Sequence, residues 1–384
     1  MSGPDELAGL IEEIAPKALE LRRLLHRNPE PAHREHRTTE LIRRFVEGHG
    51  LEFNGREPKT GGWVDLGDRP AIGFRADIDA LPILEPAENS PRSQTEGWMH
   101  ACGHDAHAAI AAGIAVVLAR LDIERRIRII FQPAEEVFPG GAVDLLEDGV
   151  VEGLSALLAF HVDPTLQVGS LGTRIGPITA SADALTIAIH GPGGHTSRPH
   201  KTVDLITAAA RVAAELPGAI RNSIDARSPI VTAFGSIHGG DAANVIPTEV
   251  VLKGTVRTLD PALWDVLPSL VDKTLGSILA VDGAGYNLEY QRGIAPVVND
   301  AFIVERVTRA IRSEMGADTV VDTNPSMGGE DFSNYLTETR GALFRLGAAS
   351  GGGDLHSASF NFNESALPFA IHAGVTALLG LSRS

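Results

Sequence analysis

Residues 127–136 read IRIIFQPAEE, a short apolar run followed by a proline and two adjacent carboxylates. The run from Ile127 to Phe131 is brief and bounded by charge, so it reads as a buried strand with polar residues at its carboxyl end. Two other runs have the same form. Residues 71–74 lead into Arg75-Ala76-Asp77-Ile78-Asp79, and residues 156–160 lead into His161-Val162-Asp163. Between them, residues 106–121 (AHAAIAAGIAVVLARL) read as a buried helix, preceded by MHACGHD at 99–105. Strand and helix in alternation predict an α/β domain, with a mixed central sheet flanked by helices. Sheets of this class bind ligands outside the carboxyl ends of their strands, so the four polar segments are predicted to converge.

Further along, the pattern changes at about residue 182. Residues 184–190 (ALTIAIH) alternate with the two-residue period of a half-exposed strand. A helical pattern follows over 203–215, then strand-like runs at 230–237 and 250–257, a helix over 261–279 and a strand at 286–290. This strand-helix-strand-strand-helix-strand order predicts an inserted α+β, ferredoxin-like satellite domain over residues 182–295. The larger domain is then made of residues 1–181 and 296–384. Residues 5–28 carry helical apolar spacing, with Pro16 predicting a break or kink.

A length of 384 residues favours two domains, and 43% hydrophobic with 21% charged residues is the profile of an ordinary globular protein. The formal net charge is -16 with no long basic stripe, which argues against nucleic acid and anionic membrane surfaces as partners. No stretch reaches the roughly 18 apolar residues of a membrane span. The first residues, MSGPDELAGLIEE, carry acids where a secretory signal carries bases. One cysteine excludes an internal disulfide, so a reducing cytoplasm is the expected setting.

Cys102 and His104 stand two apart across Gly103, a spacing that aims both side chains the same way in an extended loop. A thiolate, imidazoles and carboxylates together suit Zn, Mn, Ni or Co better than Mg or Ca. The plainer alternative is a structural cysteine beside a helix-capping Asp105. Glu135 and Glu136 repel one another at a buried strand end unless a cation is near. One of the pair can bind a metal while the other moves a proton. His161 follows an apolar strand and His356 a glycine-rich loop; each could equally be a hydrogen-bonded histidine with no ligand. Residues 191–195 (GPGGH) lack the lysine of a phosphate loop and read as a turn presenting His195.

Six motifs stand in order: RADIDALP at 75–82, MHACGHD at 99–105, QPAEE at 132–136, GHTSRPH at 194–200, ANVIP at 243–247 and GEDF at 329–332. Together they resemble the amidohydrolase branch of the aminoacylase and carboxypeptidase-G family of dinuclear metallopeptidases, over essentially the whole chain. That branch includes hippurate hydrolases, N-acetyl-diaminopimelate deacetylases and indoleacetyl-amino-acid hydrolases. The resemblance implies that Cys102, His104, Glu136, His161 and His356 hold two divalent metal ions. It implies Glu135 as general acid and base, and Asp79 as the aspartate that orients a metal ligand from behind. His195 matches a histidine that polarises the scissile carbonyl, in some members that of a partner subunit. Asn244 and Arg257 match positions that hold a substrate carboxylate. The satellite domain of such proteins often pairs two chains, which implies a homodimer or homotetramer. Many relatives place glycines directly after the glutamate pair, whereas Val137-Phe138-Pro139 intervenes here before Gly140, which predicts a reshaped substrate pocket.

The expected reaction is cleavage of the amide bond of an N-acyl amino acid, or a similar small amide, by metal-activated water. Two alternatives stand beside it. One is a hydrolase using Cys102 as nucleophile with His104 or His161; the other is a non-catalytic metal- or ligand-binding relative.

Overall fold

In the computed structural model, which describes residues 4–121 and 126–382, the chain forms two compact units. The first comprises residues 1–176, 298–324 and 334–384. Its sheet has eight strands in the order Asn54–Gly55, Gly62–Leu66, Ile127–Gln132, Ile72–Asp77, Ala156–Asp163, Gly341–Gly347, Leu171–Thr173, Val320–Asp322. The four strands from Ile127–Gln132 to Gly341–Gly347 run parallel, and the flanking pairs include antiparallel ones, so the sheet is mixed. Every residue of Ile72–Asp77 and Gly341–Gly347 is buried, as expected of strands covered on both faces.

Helices His104–Arg120 and Ala366–Ser382 pack on this sheet and on each other, and Pro4–Arg27 packs on both helices. His104–Arg120 is buried along nearly its whole length, which its alanines permit by letting neighbours approach closely. The first helix runs unbroken through Pro16, where a break or kink was expected. Ile14, Ala15 and Ala18 are buried on either side of it. Tertiary packing of this face outweighs the hydrogen bond that proline removes.

The second unit comprises residues 177–297 and 325–333. Its sheet is wholly antiparallel, in the order Ile230–His238, Glu249–Thr258, Ala182–His190, Gly285–Ile294. Along Ala182–His190 alternate residues are buried, with Leu185, Ile187 and Ile189 facing helices Leu205–Asn222 and Pro261–Leu279. Both helices are capped by an aspartate side chain, Asp204 and Asp260, which accepts from the first free backbone N–H groups. Residues 325–333 cluster here through backbone bonds from Ser326 N–H to Ile178 (2.9 Å) and from Ala180 N–H to Gly328 (3.0 Å). Among the described residues, no helix is long and apolar enough to cross a membrane.

Candidate metal centre

The parallel strands of the first unit are in register at their carboxyl ends, with Asp77 beside Gln132 and His161 beside Arg345. Beyond those ends the chain places Asp79, Glu135 and Glu136, and His161 stands near the carboxyl end of its own strand. The loop at 99–103 adds Cys102, and the helix that follows begins at His104. Gly103 makes this turn with φ at +80°, and a Cβ there would lie 2.5 Å from a Val162 methyl, so only glycine fits. Two further positions at the site use uncommon backbone. Ala134, just before the glutamate pair, has φ at +53°, and His356 has φ at +61°. Buried Glu35 accepts the Ala134 N–H at 2.8 Å and the Thr60 hydroxyl at 2.6 Å, which pins the strained turn from behind.

All five residues expected to hold metal come together. Cys102 Sγ lies 3.4 Å from His161 Nε2 and 3.2 Å from His356 Nε2. Glu136 Oε1 lies 3.2 Å from His356 Nε2 and 3.8 Å from His104 Nε2. Metal–ligand bonds of about 2.0–2.3 Å at a tetrahedral angle put neighbouring ligand atoms roughly 3.3–3.8 Å apart, so this spacing is that of atoms around a cation. His104 Nε2 and Glu136 Oε1 are buried and have no hydrogen-bond partner. Two orphaned polar atoms aimed at one point would be costly without an ion between them, and the donor set fits a divalent metal. Cys102 belongs to two ligand groups, one with His104 and His161 and one with Glu136 and His356; Glu135 joins a third with His104 and Glu136.

The surrounding residues set which nitrogen of each ring is free. His104 Nδ1 donates to Asp79 Oδ1 (3.1 Å), while Asp79 Oδ2 accepts the Glu136 N–H (3.0 Å). One buried carboxylate therefore orients two of the candidate ligands and leaves His104 Nε2 facing the centre. His161 Nδ1 donates to the Val162 carbonyl (2.8 Å), which turns its Nε2 lone pair toward Cys102.

Charge tells the same story. Burial pulls the His104 pKa down, but Asp77, Asp79 and Glu136 outweigh it and hold it up at about 10. Burial, with the Glu136 and Glu135 carboxylates adding to it, pushes the Cys102 thiol well above its usual value. Burial and neighbouring His107 push His161 well below the ordinary histidine value, so that ring is neutral. The pocket thus carries an excess of negative charge that a cation would balance.

His195, Asn244 and Arg257 lie in the second unit. His195 pairs with Val245 across a two-residue ladder, and Thr196 N–H donates to the Asn244 carbonyl (3.1 Å), so these two residues sit on neighbouring loops. Ser197 N–H donates to His195 Nδ1 (3.1 Å); in a neutral ring the proton is then on Nε2, a free donor. Arg257, on strand Glu249–Thr258, donates to the Met327 carbonyl at 3.2 Å. Val137 and Phe138, which interrupt the expected glycines, are 43% and 51% exposed.

Asp77 and His107 were not singled out as site residues, yet Asp77, His104 and His107 form a further group within ligand distance. The available signal was His107 itself, a polar ring three positions after His104 on an alanine-rich helix and so on the same face.

A model of peptidase family M20/M25/M40 matches residues 73–379. The chain is 42% identical over 372 residues to a protein of Rhodococcus jostii (strain RHA1) that carries a glutamate–cysteine ligase name, covering 96% of this chain but 46% of that longer protein. It is 35% identical over 300 residues to an N-acyl-L-amino acid amidohydrolase of Geobacillus stearothermophilus, covering 77% of this chain and 81% of that one. Among solved structures, a dinuclear metal-binding peptidase from Bacillus subtilis superposes with a TM-score of 0.83 at 31% identity, over 96% of this chain and 99% of that one.

Proposed function

Because the chain belongs to peptidase family M20/M25/M40, we propose that it is a dinuclear metal-dependent amidohydrolase that cleaves the amide bond of N-acyl amino acids. The observation that carries this reading is the convergence of Cys102, His104, Glu136, His161 and His356, with His104 Nε2 and Glu136 Oε1 buried, 3.8 Å apart and not hydrogen-bonded.

Divalent cations held by these residues would supply Lewis acidity, making water acidic enough to attack an amide carbonyl near neutral pH. The chain's own groups do the rest. Glu135, within ligand distance of His104 and Glu136, takes the proton from the attacking water and returns it to the departing nitrogen. Asp79 holds His104 and the Glu136 backbone in place throughout. His195 offers its Nε2 proton to the carbonyl oxygen as negative charge develops there. Arg257 and Asn244 bind the substrate carboxylate, for which a guanidinium fork is the natural partner. In this reading the enzyme works in the cytoplasm as a homodimer or homotetramer.

The cysteine-nucleophile alternative needs a thiolate without a metal, and burial beside two glutamates holds Cys102 as a thiol. A purely metal-binding role leaves Glu135 without a task. The test is a hydrolysis screen of N-acetyl and N-benzoyl amino acids against chain loaded in turn with Zn, Mn, Co and Ni. Amine release with at least one metal is the expected result. No release from any substrate with any metal would overturn the reading.

A further inference from the structure

We propose that Arg75, Asp77 and His107 are positioning residues, a buried hydrogen-bonded relay that joins the ends of three strands and aims His161 at the metals. The inference rests on the metal-centre reading above. These three charged or polar groups take no part in the mechanism and are all but inaccessible, with Arg75 1%, Asp77 0% and His107 2% exposed.

The connections form one chain. Arg75 Nε donates to Gln132 Oε1 (2.7 Å), and its Nη1 donates to Asp77 Oδ2 (2.6 Å). Tyr335 also donates to Gln132 Oε1, at 3.0 Å. His107 Nδ1 donates to Asp77 Oδ1 (2.6 Å), and His107 Nε2 accepts the Val162 N–H (2.9 Å). Each link touches a strand end that carries the centre. Gln132 precedes the Glu135–Glu136 turn, Asp77 precedes Asp79, and Val162 follows His161 while accepting its Nδ1 proton. Val162, with its N–H held by His107 and its C=O held by His161, can be displaced only by breaking two buried bonds.

The same geometry argues against a metal between Asp77, His104 and His107, although their atoms lie close enough. Both oxygens of Asp77 are already used by Arg75 and His107, and both nitrogens of His107 are used by Asp77 and Val162. Asp77 Oδ1 still lies 3.7 Å from His104 Nε2, too far for a hydrogen bond but close enough to place negative charge beside the centre.

The experiment loads the full chain with Co(II) and compares it with His107→Leu, His107→Gln and Asp77→Asn. It reads cobalt affinity, the thiolate–cobalt absorption, kcat, KM and thermal unfolding. His107→Leu is expected to lose about 10- to 100-fold in cobalt affinity, the range typical of residues that orient ligands. It should also alter the absorption and lower kcat more than it raises KM. The amide oxygen of His107→Gln can still accept the Val162 N–H and should restore most of the absorption. Asp77→Asn conserves volume and is expected to shift the absorption even if the leucine variant does not fold. Wild-type absorption and affinity in both Asp77→Asn and His107→Gln, and in any folded His107→Leu, would overturn the relay. A wild-type chain that takes up no cobalt would overturn the metal-centre reading itself, and the relay with it.

Discussion

Glu135→Gln is expected to keep its metal content and lose about 10²- to 10⁴-fold in kcat, the usual contribution of a positioned acid and base. The two neighbouring glutamates divide the work. Glu136 has its backbone N–H held by Asp79 and its Oε1 buried against His104 and His356, so it is committed to the centre. Glu135 shares the ligand group with His104 and Glu136, which places a second carboxylate where a proton can be taken from water and passed on. Glutamine conserves shape and cannot carry a proton back and forth. The measurement is metal content and steady-state hydrolysis on the same sample. Full metal occupancy with near-normal kcat would remove Glu135 from the mechanism. Lost metal would instead make it a ligand.

Cys102→Ser should show the opposite pattern. Replacing the sulfur that sits 3.4 Å from His161 and 3.2 Å from His356 should weaken metal binding by more than the about 10- to 100-fold typical of outer residues. Activity should then return as free metal is raised, because the lost term is binding. A nucleophile behaves differently, since its serine variant would keep metal and stay inactive at any metal concentration. Metal affinity of the wild-type chain should also fall on acidification. Binding requires the Cys102 thiolate, and Cys102 is buried among carboxylates that favour the thiol, so protons compete directly with the cation.

Much of this was legible along the chain because the local signals agree. The runs at 71–74, 127–131 and 156–160 are short and apolar and end in polar residues, and each becomes a strand with its ligands at the carboxyl end. The alternation at 184–190 likewise marks a half-buried strand. What was not legible depends on backbone geometry or on distant partners. The left-handed conformation of His356 leaves no mark in its own sequence, and its contact with Cys102 spans 254 positions. Residues 325–333 cluster with the second unit through backbone bonds, which carry no side-chain signal. The helix is not broken at Pro16, because the proline's penalty is local while the packing around it is tertiary. His107 hid in an alanine-rich helix, where a lone histidine looks like core until Asp77 and Val162 are seen beside it.

The most direct test of a two-metal centre is to strip the chain with chelator and return Co(II) in measured equivalents while following hydrolysis of an N-acyl amino acid. Hydrolysis should be absent from the stripped chain, rise with added cobalt and reach its plateau at two equivalents per chain. Undiminished hydrolysis by the stripped chain, or a failure of cobalt to restore it at any ratio, would contradict the account.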